Sequence, residues 1–521
     1  MKILKKGRHL KVRKILKKIS LVLALVLVIA SLFTGCTKTR TSVSTSNGKN
    51  GLSPVTLKMY LLGDKPKDFE RVYAEVNKLM KQKINATLDV QFIPWGDLNS
   101  KYPLLFSSGE DFDLIFTAAG WCFYNQIATS GGFLELTPEM LQKYAPNTWK
   151  YEPKLAWDQA KVNGKIYMVP NDQKEYGYNV IGVRGDLMEK YGISDIKSEA
   201  DLEKYYDAIL KNEKGIVPIV NGGGQNLEWP YLLEGNEFAQ VRGTGSEPLF
   251  VYKITDSSGK ILSIVDTPEF KDYVLKMREL AVKGVWSKNS ISSKETRDDA
   301  FKAGRAASMV WNLGTVSADV TTMNKEHPEW KARVVDIHPG VKKLINPYTN
   351  NGIAINANSK NPERALMAID LLRYDRDIHD LATYGIKGVH WEPVGDTQYK
   401  LLPGSVNFSE INNSSWGWHT HINRTDANQP EIVKQLTDKW TKEDLVHHPL
   451  EGFTFDDSKV KNEMAAINNV VTQYGLPLNL GMISDPIKGI ETYRQKLKAA
   501  GLYKVLEEIQ KQADQYMKEH K

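Results

Sequence analysis

Carboxylate pairs and histidine clusters are the first places to look for chemistry in this chain of 521 residues. Asp111 with Asp113, and Glu135 with Glu139, are candidates for glycoside hydrolysis, which needs two carboxyl groups about 5 to 10 Å apart around the scissile bond. With 62 Asp and Glu in the chain, such pairs arise by chance. His419-Thr420-His421 could coordinate a metal with His447 and His448, but no carboxylate or cysteine stands at ligand spacing beside them, so the expectation is no metal and no cofactor. Asn221-Gly222-Gly223-Gly224-Gln225 resembles a phosphate cradle only superficially, since no Gly-Lys-Ser or Gly-Lys-Thr follows. Nucleophile-elbow, Walker and zinc-protease motifs do not occur in the chain. What stands out is aromatic: twelve Trp and 23 Tyr in a chain of mean hydropathy −0.41, too many rings to be hidden in cores alone.

The elements that must position these rings are legible from periodicity. Val55, Leu57, Met59 and Leu61 alternate with polar neighbours as a strand does; Phe69, Val72, Val76, Leu79 and Met80 recur at helical spacing; Ala86 to Phe92 alternates again. A helix over 97–108 stopped by Gly109 and a short buried strand at Asp113 to Phe116 complete strand, helix, strand, helix, strand, which predicts an α/β layer with a largely parallel sheet. Ligands of such sheets lie beyond the carboxyl ends of the strands, where Ala118-Ala119-Gly120-Trp121 follows. Asn163-Gly164 marks a hairpin, and Asn171 to Tyr176 is a polar crossing segment. The triple glycine gives backbone access near Gln225 and Trp229, and the strand Ala306 to Trp311 leads into Asn312. Asn361 is the expected cap of a helix with Leu366, Ile369 and Leu372 on its buried face. The last helix carries Leu502, Leu506, Ile509, Ala513 and Met517.

The opening of the chain sets the compartment. Nine of its 69 Lys and Arg fall in the first twenty residues, followed by an apolar run from Leu21 to Phe33 and then Thr34-Gly35-Cys36. A thirteen-residue run is short of the roughly 20 residues a spanning helix needs, which predicts a secretion signal over 1–35. The small residues before Cys36 look like a lipobox, with Phe33 in the place usual for Leu, so cleavage before Cys36 and a lipid on that cysteine are expected. Without the signal the chain is near neutral, and the sequence pI of 8.9 is no argument for a nucleic-acid partner. Thr37 to Pro54 has almost no apolar side chains and reads as a flexible tether spanning about 20 to 25 Å. Cys122 is then left without a disulfide partner, so core packing must hold the exported domain together.

Several motifs in order carry a family resemblance: the lipobox, Gly109-Glu110-Asp111-Phe112-Asp113-Leu114-Ile115-Phe116, Asn163-Gly164-Lys165-Ile166-Tyr167 to Pro170, and Phe301-Lys302-Ala303-Gly304-Arg305-Ala306-Ala307-Ser308-Met309. Together they resemble the family 1 extracellular solute-binding proteins of carbohydrate ABC importers. Tyr384 to Glu392 and the tail from Tyr493 to Gln515 look like the LipO and LplA type of large Gram-positive lipoprotein. The resemblance implies a two-lobed, periplasmic-binding-protein-like α/β fold with crossing hinges and a helix-rich C-terminal part. It places lobe 1 at 54–172 plus 352–396 and lobe 2 at 176–345 plus 400–521, behind a tether over 36–53. It further implies a monomeric, non-catalytic receptor, anchored to the membrane through Cys36, that hands an oligosaccharide to the transmembrane subunits of an ABC permease; a surface glycan-degrading enzyme and a sensor or adhesin are the other readings.

A sugar offers an apolar face of C–H groups and an edge of hydroxyls, so its site needs flat rings and fixed polar groups. Trp121 and Trp311, at strand ends that face the cleft in the resembled family, are the leading candidates, with Trp229 and Trp391 next. Lys174, Glu175, Gln225 and Asn312 are the expected polar partners, and Trp416-Gly417-Trp418 an aromatic platform from the second lobe.

Overall fold

The computed structural model describes residues 51–519 except 174, 222–226, 246 and 411. The signal, the lipobox with Cys36, most of the tether, Lys174 and Gln225 thus lie outside the described residues.

Residues from Pro54 onward build two large hydrophobic cores, each around its own sheet. In the first, strand Val55–Leu62 lies second in a five-stranded sheet and pairs in parallel with the edge strand Ala86–Ile93 along its whole length, Val55 opposite Ala86 and Leu62 opposite Ile93. Its alternation buries Leu57, Met59 and Leu61 completely. Helix Phe69–Ile84 covers the sheet with Phe69, Val72, Tyr73, Val76, Met80 and Ile84, one stripe at helical spacing, and stops at Asn85 in the left-handed conformation. Strand Leu114–Thr117 pairs on the other side of Val55–Leu62, again parallel. Gly352–Ile355 then joins antiparallel to it, and Met168–Pro170 antiparallel at the edge, so the sheet is mixed where a largely parallel one is expected. The reason is that Gly352–Ile355 arrives through a crossing segment from the other half of the molecule, not through a helical crossover, and is the one reversed strand; Met168–Pro170, antiparallel only to it, runs in the same sense as the parallel strands.

The second core surrounds the strand order Arg333–Val335, Asn179–Val183, Ala306–Asn312, Val217–Ile219. Ala306–Asn312 runs antiparallel to Asn179–Val183 and parallel to Val217–Ile219. Close packing here demands small residues: a Cβ on Gly182 would stand 3.0 Å from Met309 and 3.1 Å from Phe301. The C-terminal helices Lys461–Val470, Pro486–Ala499 and Leu502–Glu519 pack onto this core through Met464, Ile467, Ile490, Leu497, Leu502, Val505, Ile509 and Ala513.

Two expectations need correction. Residues 400–426 do not join the second core: Phe408 and Trp418 are buried in the first one, and strands Trp391–Val394, Gln398–Leu401 and Thr425–Asp426 form one small sheet. The last change of core therefore falls between Thr425–Asp426 and helix Glu431–Lys439, whose Val433 and Leu436 pack with Val180 and Phe301. Asn361 precedes helix Pro362–Tyr374 as expected, but its side chain makes no cap; its amide donates instead to Asp113 Oδ1 at 3.3 Å. Leu366, Ile369 and Leu372 form the buried face.

The two cores are bridged where Glu175 and Asn346 pair edge to edge. The Glu175 carboxylate accepts from three side-chain amides, Asn171 at 3.2 Å, Asn350 at 2.8 Å and Asn351 at 3.0 Å, which fastens one crossing segment to the other. Just upstream, a fully buried Arg373–Glu152 ion pair lies beneath Pro170, whose carbonyl accepts from Arg373. Cys122 is buried and free, and among the described residues no helix is long and apolar enough to cross a membrane.

Candidate functional site

A cleft of about 740 Å³ opens where the crossing segments meet the two cores. From the first core it is bordered by Gly120 and Trp121, from the crossing segments by Gly177, Asn346 and Asn350, and from the second core by Trp229, Gln240, Arg242, Trp311 and Asn312.

Trp121 follows the strand Leu114–Thr117, where the chain turns through small residues, and it is 39% exposed. Its Nε1 donates to Asn350 O at 3.0 Å, which fixes the indole against a crossing segment. Trp416 lies 5.9 Å from it and stacks at 5.7 Å and 15° on Trp95, which is 52% exposed. Gly63 makes room for this row, since a Cβ there would meet Trp95 Nε1 at 3.1 Å. Three indoles side by side with so much exposed surface form an apolar face unusual for a solvated surface.

Opposite, Trp311 ends the strand Ala306–Asn312, where register with Val180 holds it at the rim of the second sheet. The Arg297 guanidinium sits 3.8 Å over its ring while the indole still borders the cleft. Asn312 also borders the cleft, but its Oδ1 caps helix Leu313–Glu326 by accepting from Thr315 N at 3.0 Å. Trp229 opens the helical turn Trp229–Leu233, packing partly on the second core.

The remaining candidates lie elsewhere. Trp391 is 3% exposed; its Nε1 donates to Gly385 O at 2.8 Å and its ring packs with Tyr384 and Tyr399 in a small core of its own. Trp418 is 0% exposed with Nε1 donating to Thr383 Oγ1 at 3.2 Å. Both are packing residues, correcting the ligand-binding expectation, and the platform reduces to Trp416, on the first lobe and not the second. Glu175 does not border the cleft; the three asparagines occupy its carboxylate.

Acidic and histidine clusters are likewise accounted for. Asp113 accepts from Lys58 N at 3.0 Å and Ser359 Oγ at 2.6 Å inside the first lobe, and Asp111 faces Lys360. Glu135 pairs with Lys165 on the surface, and Glu139 lies in the first turn of helix Pro138–Tyr144. His419 pairs with Glu410, His421 with Asp172 and His447 with Glu451, while His448 Nε2 meets Asp256 O at 2.9 Å. Among the described residues no three His, Cys, Asp or Glu are grouped to hold a metal ion.

Sequence reasoning missed the acidic wall of the cleft and its arginine. Glu234 accepts from Asn179 N at 3.0 Å and Asn179 Nδ2 at 2.7 Å, and burial pushes its pKa up to about 7. Glu228 and Glu247 face one another, and burial raises both carboxyls. Burial lowers the pKa of the Arg242 guanidinium, which keeps part of its surface open to the cleft. Gly243 after Arg242 was the available signal: at φ +83°, with Phe455 O only 2.5 Å from where a Cβ would be, it marks a forced close approach.

Indoles on two separately built walls, with amides and a guanidinium between them, make a two-lobed binding protein for a ring-containing polar ligand. Residues 63–374 match the bacterial extracellular solute-binding protein family, and the chain belongs to it. Residues 449–518 match a domain of unknown function, DUF3502. The chain is 28% identical over 485 residues to a carbohydrate ABC transporter substrate-binding protein of Streptococcus pneumoniae, covering 91% of this chain and 93% of that one. It is 23% identical to the polygalacturonan/rhamnogalacturonan-binding protein YtcQ of Bacillus subtilis, over 74% and 76% of the two chains. Among solved structures it is similar to the N-glycan transport solute binding protein NgtS of Streptococcus pneumoniae in complex with Man5GlcNAc, with a TM-score of 0.72, 26% identity and coverage of 90% and 100%.

Proposed function

We propose that this protein is the extracellular receptor of an ABC importer, capturing an oligosaccharide in the cleft and delivering it to the permease without breaking a bond. One observation carries the reading: Trp121 and Trp311, built onto different sheets, border the same cleft. An indole on each wall suits the apolar faces of sugar rings, and the side-chain amide of Asn346 between them suits their hydroxyl edges. The carbohydrate named for the Streptococcus pneumoniae relative, the N-glycan bound to NgtS and the polysaccharides named for YtcQ support an oligosaccharide as the ligand class.

In this reading lobe 1 comprises 54–172 and 352–426 and lobe 2 comprises 177–345 and 431–519, closing about the crossing segments near Glu175 and Asn346 as a monomer. The lipid on Cys36 and the tether hold it at the outer face of the membrane beside the permease. Calorimetric titration with N-glycan and polygalacturonan fragments, and with peptides as controls, tests the proposal. Glycan binding with no new reducing ends after prolonged incubation is expected; peptide binding without glycan binding, or new reducing ends, would overturn it.

A further inference from the structure

Among the described residues, the cleft contains an arginine that no carboxylate pairs with directly. Arg242 follows strand Phe238–Gln240 and borders the cleft where both lobes and a crossing segment meet. Its Nη2 donates to Asn346 Oδ1 at 3.2 Å, and Gly120 of the opposite lobe lies so near that a Cβ there would stand 3.3 Å from Nη1. A guanidinium carries five donors in a planar fork, and among the described residues the bond to Asn346 is the one side-chain contact that satisfies any of them. No described carboxylate lies within ion-pairing distance of Arg242.

The acidic groups that its field reaches are committed elsewhere. Glu175 accepts from Asn171, Asn350 and Asn351, and Glu451 accepts from His447 Nδ1 at 3.3 Å and His448 N at 3.4 Å. Three carboxyls line the cleft itself: Glu234 and Glu247, which burial pushes towards their protonated forms, and Glu451, whose Oε2 is held by His447 and His448 and makes no ion pair with Arg242. A positive centre half removed from water, with no carboxylate in direct contact, is costly to maintain unless the ligand supplies that contact. The fork geometry of arginine matches a carboxylate with two parallel hydrogen bonds, which a sugar hydroxyl does not reproduce.

Resting on the oligosaccharide reading above, we propose that Arg242 is the recognition point for a carboxylate borne by a sugar residue of the ligand, so that the receptor selects acidic glycans. Because Gly120 immediately precedes Trp121, the acidic ring that meets Arg242 lies beside that indole and is held by stacking and charge together.

The test is calorimetric titration with trigalacturonate against its full methyl ester, and with a sialylated N-glycan against the same glycan desialylated. In at least one pair the acid form is expected to bind tenfold or more tighter at low salt, with the advantage shrinking as ionic strength rises. Arg242→Gln brings the ratio of acid to neutral affinity to about one, and Arg242→Lys restores only part of that ratio. Thermal unfolding of each variant checks folding; should Arg242→Gln fail to fold, the wild-type acid-to-neutral ratio and its salt dependence decide alone. Equal binding of acid and neutral forms in both pairs, or loss of both alike in Arg242→Gln, would overturn the carboxylate assignment and leave the oligosaccharide reading standing. No binding of any glycan would overturn both.

Discussion

Trp121 and Trp418 are both indoles beside glycines, yet one has 39% of its surface exposed and the other none. Trp121→Ala and Trp311→Ala are therefore expected to weaken glycan binding by about 1.5 to 3 kcal/mol, ten- to a hundredfold, with little change in unfolding temperature. Trp418→Ala should do the reverse, costing about 3 to 5 kcal/mol of stability while the folded fraction binds normally. Calorimetry alongside thermal unfolding separates the two effects. Loop context together with the family resemblance puts Trp121 and Trp311 ahead of Trp391 and Trp418, but it does not show that those two are buried. What buries those two is contact with Tyr384, Tyr399 and Thr383, decided by tertiary packing and invisible to local pattern.

Glu234 gives a second prediction. A carboxyl whose folded pKa is raised to about 7 binds its proton more tightly in the folded chain than in the unfolded one. Its contribution is complete below the ordinary carboxylate pKa near 4.5 and is lost as pH rises to 7, so stability should fall across that window. In Glu234→Gln the fall should be smaller than in the wild type by an amount on the order of 1 to 3 kcal/mol. Identical pH profiles from urea denaturation would contradict it.

At the scale of elements, the crossing segments are fastened by one carboxylate and three asparagine amides. Glu175→Gln presents an NH2 group to amides that need acceptors, and should destabilise the chain by about 1 to 3 kcal/mol, read as a lower denaturation midpoint. The Arg373–Glu152 pair beneath Pro170 is fully buried, so Arg373→Met, which strands a carboxyl in the core, should cost about 3 to 5 kcal/mol. Strands and helices with clean periodicity, such as Val55–Leu62, Phe69–Ile84 and Ala306–Asn312, were readable from the chain because each buries one regular face. The antiparallel entry of Gly352–Ile355 was not, since pairing direction depends on which lobe the strand comes from.

For the whole molecule, two lobes follow from two separate cores, and their existence was legible in the family-like order of motifs. Their last boundary was not: residues 400–426 carry little periodicity, and their membership is settled by Phe408 and Trp418 entering the first core. A receptor that binds between lobes should be stabilised by its ligand, by about 2.7 kcal/mol at a hundredfold excess over Kd, as a rise in unfolding temperature that saturates with occupancy.

A crystal structure grown with the tightest-binding oligosaccharide tests the central claim most directly. Sugar rings stacked on Trp121 from one lobe and Trp311 from the other, inside the cleft, are the predicted result. A saccharide seated outside the cleft, or touching neither indole, would contradict it.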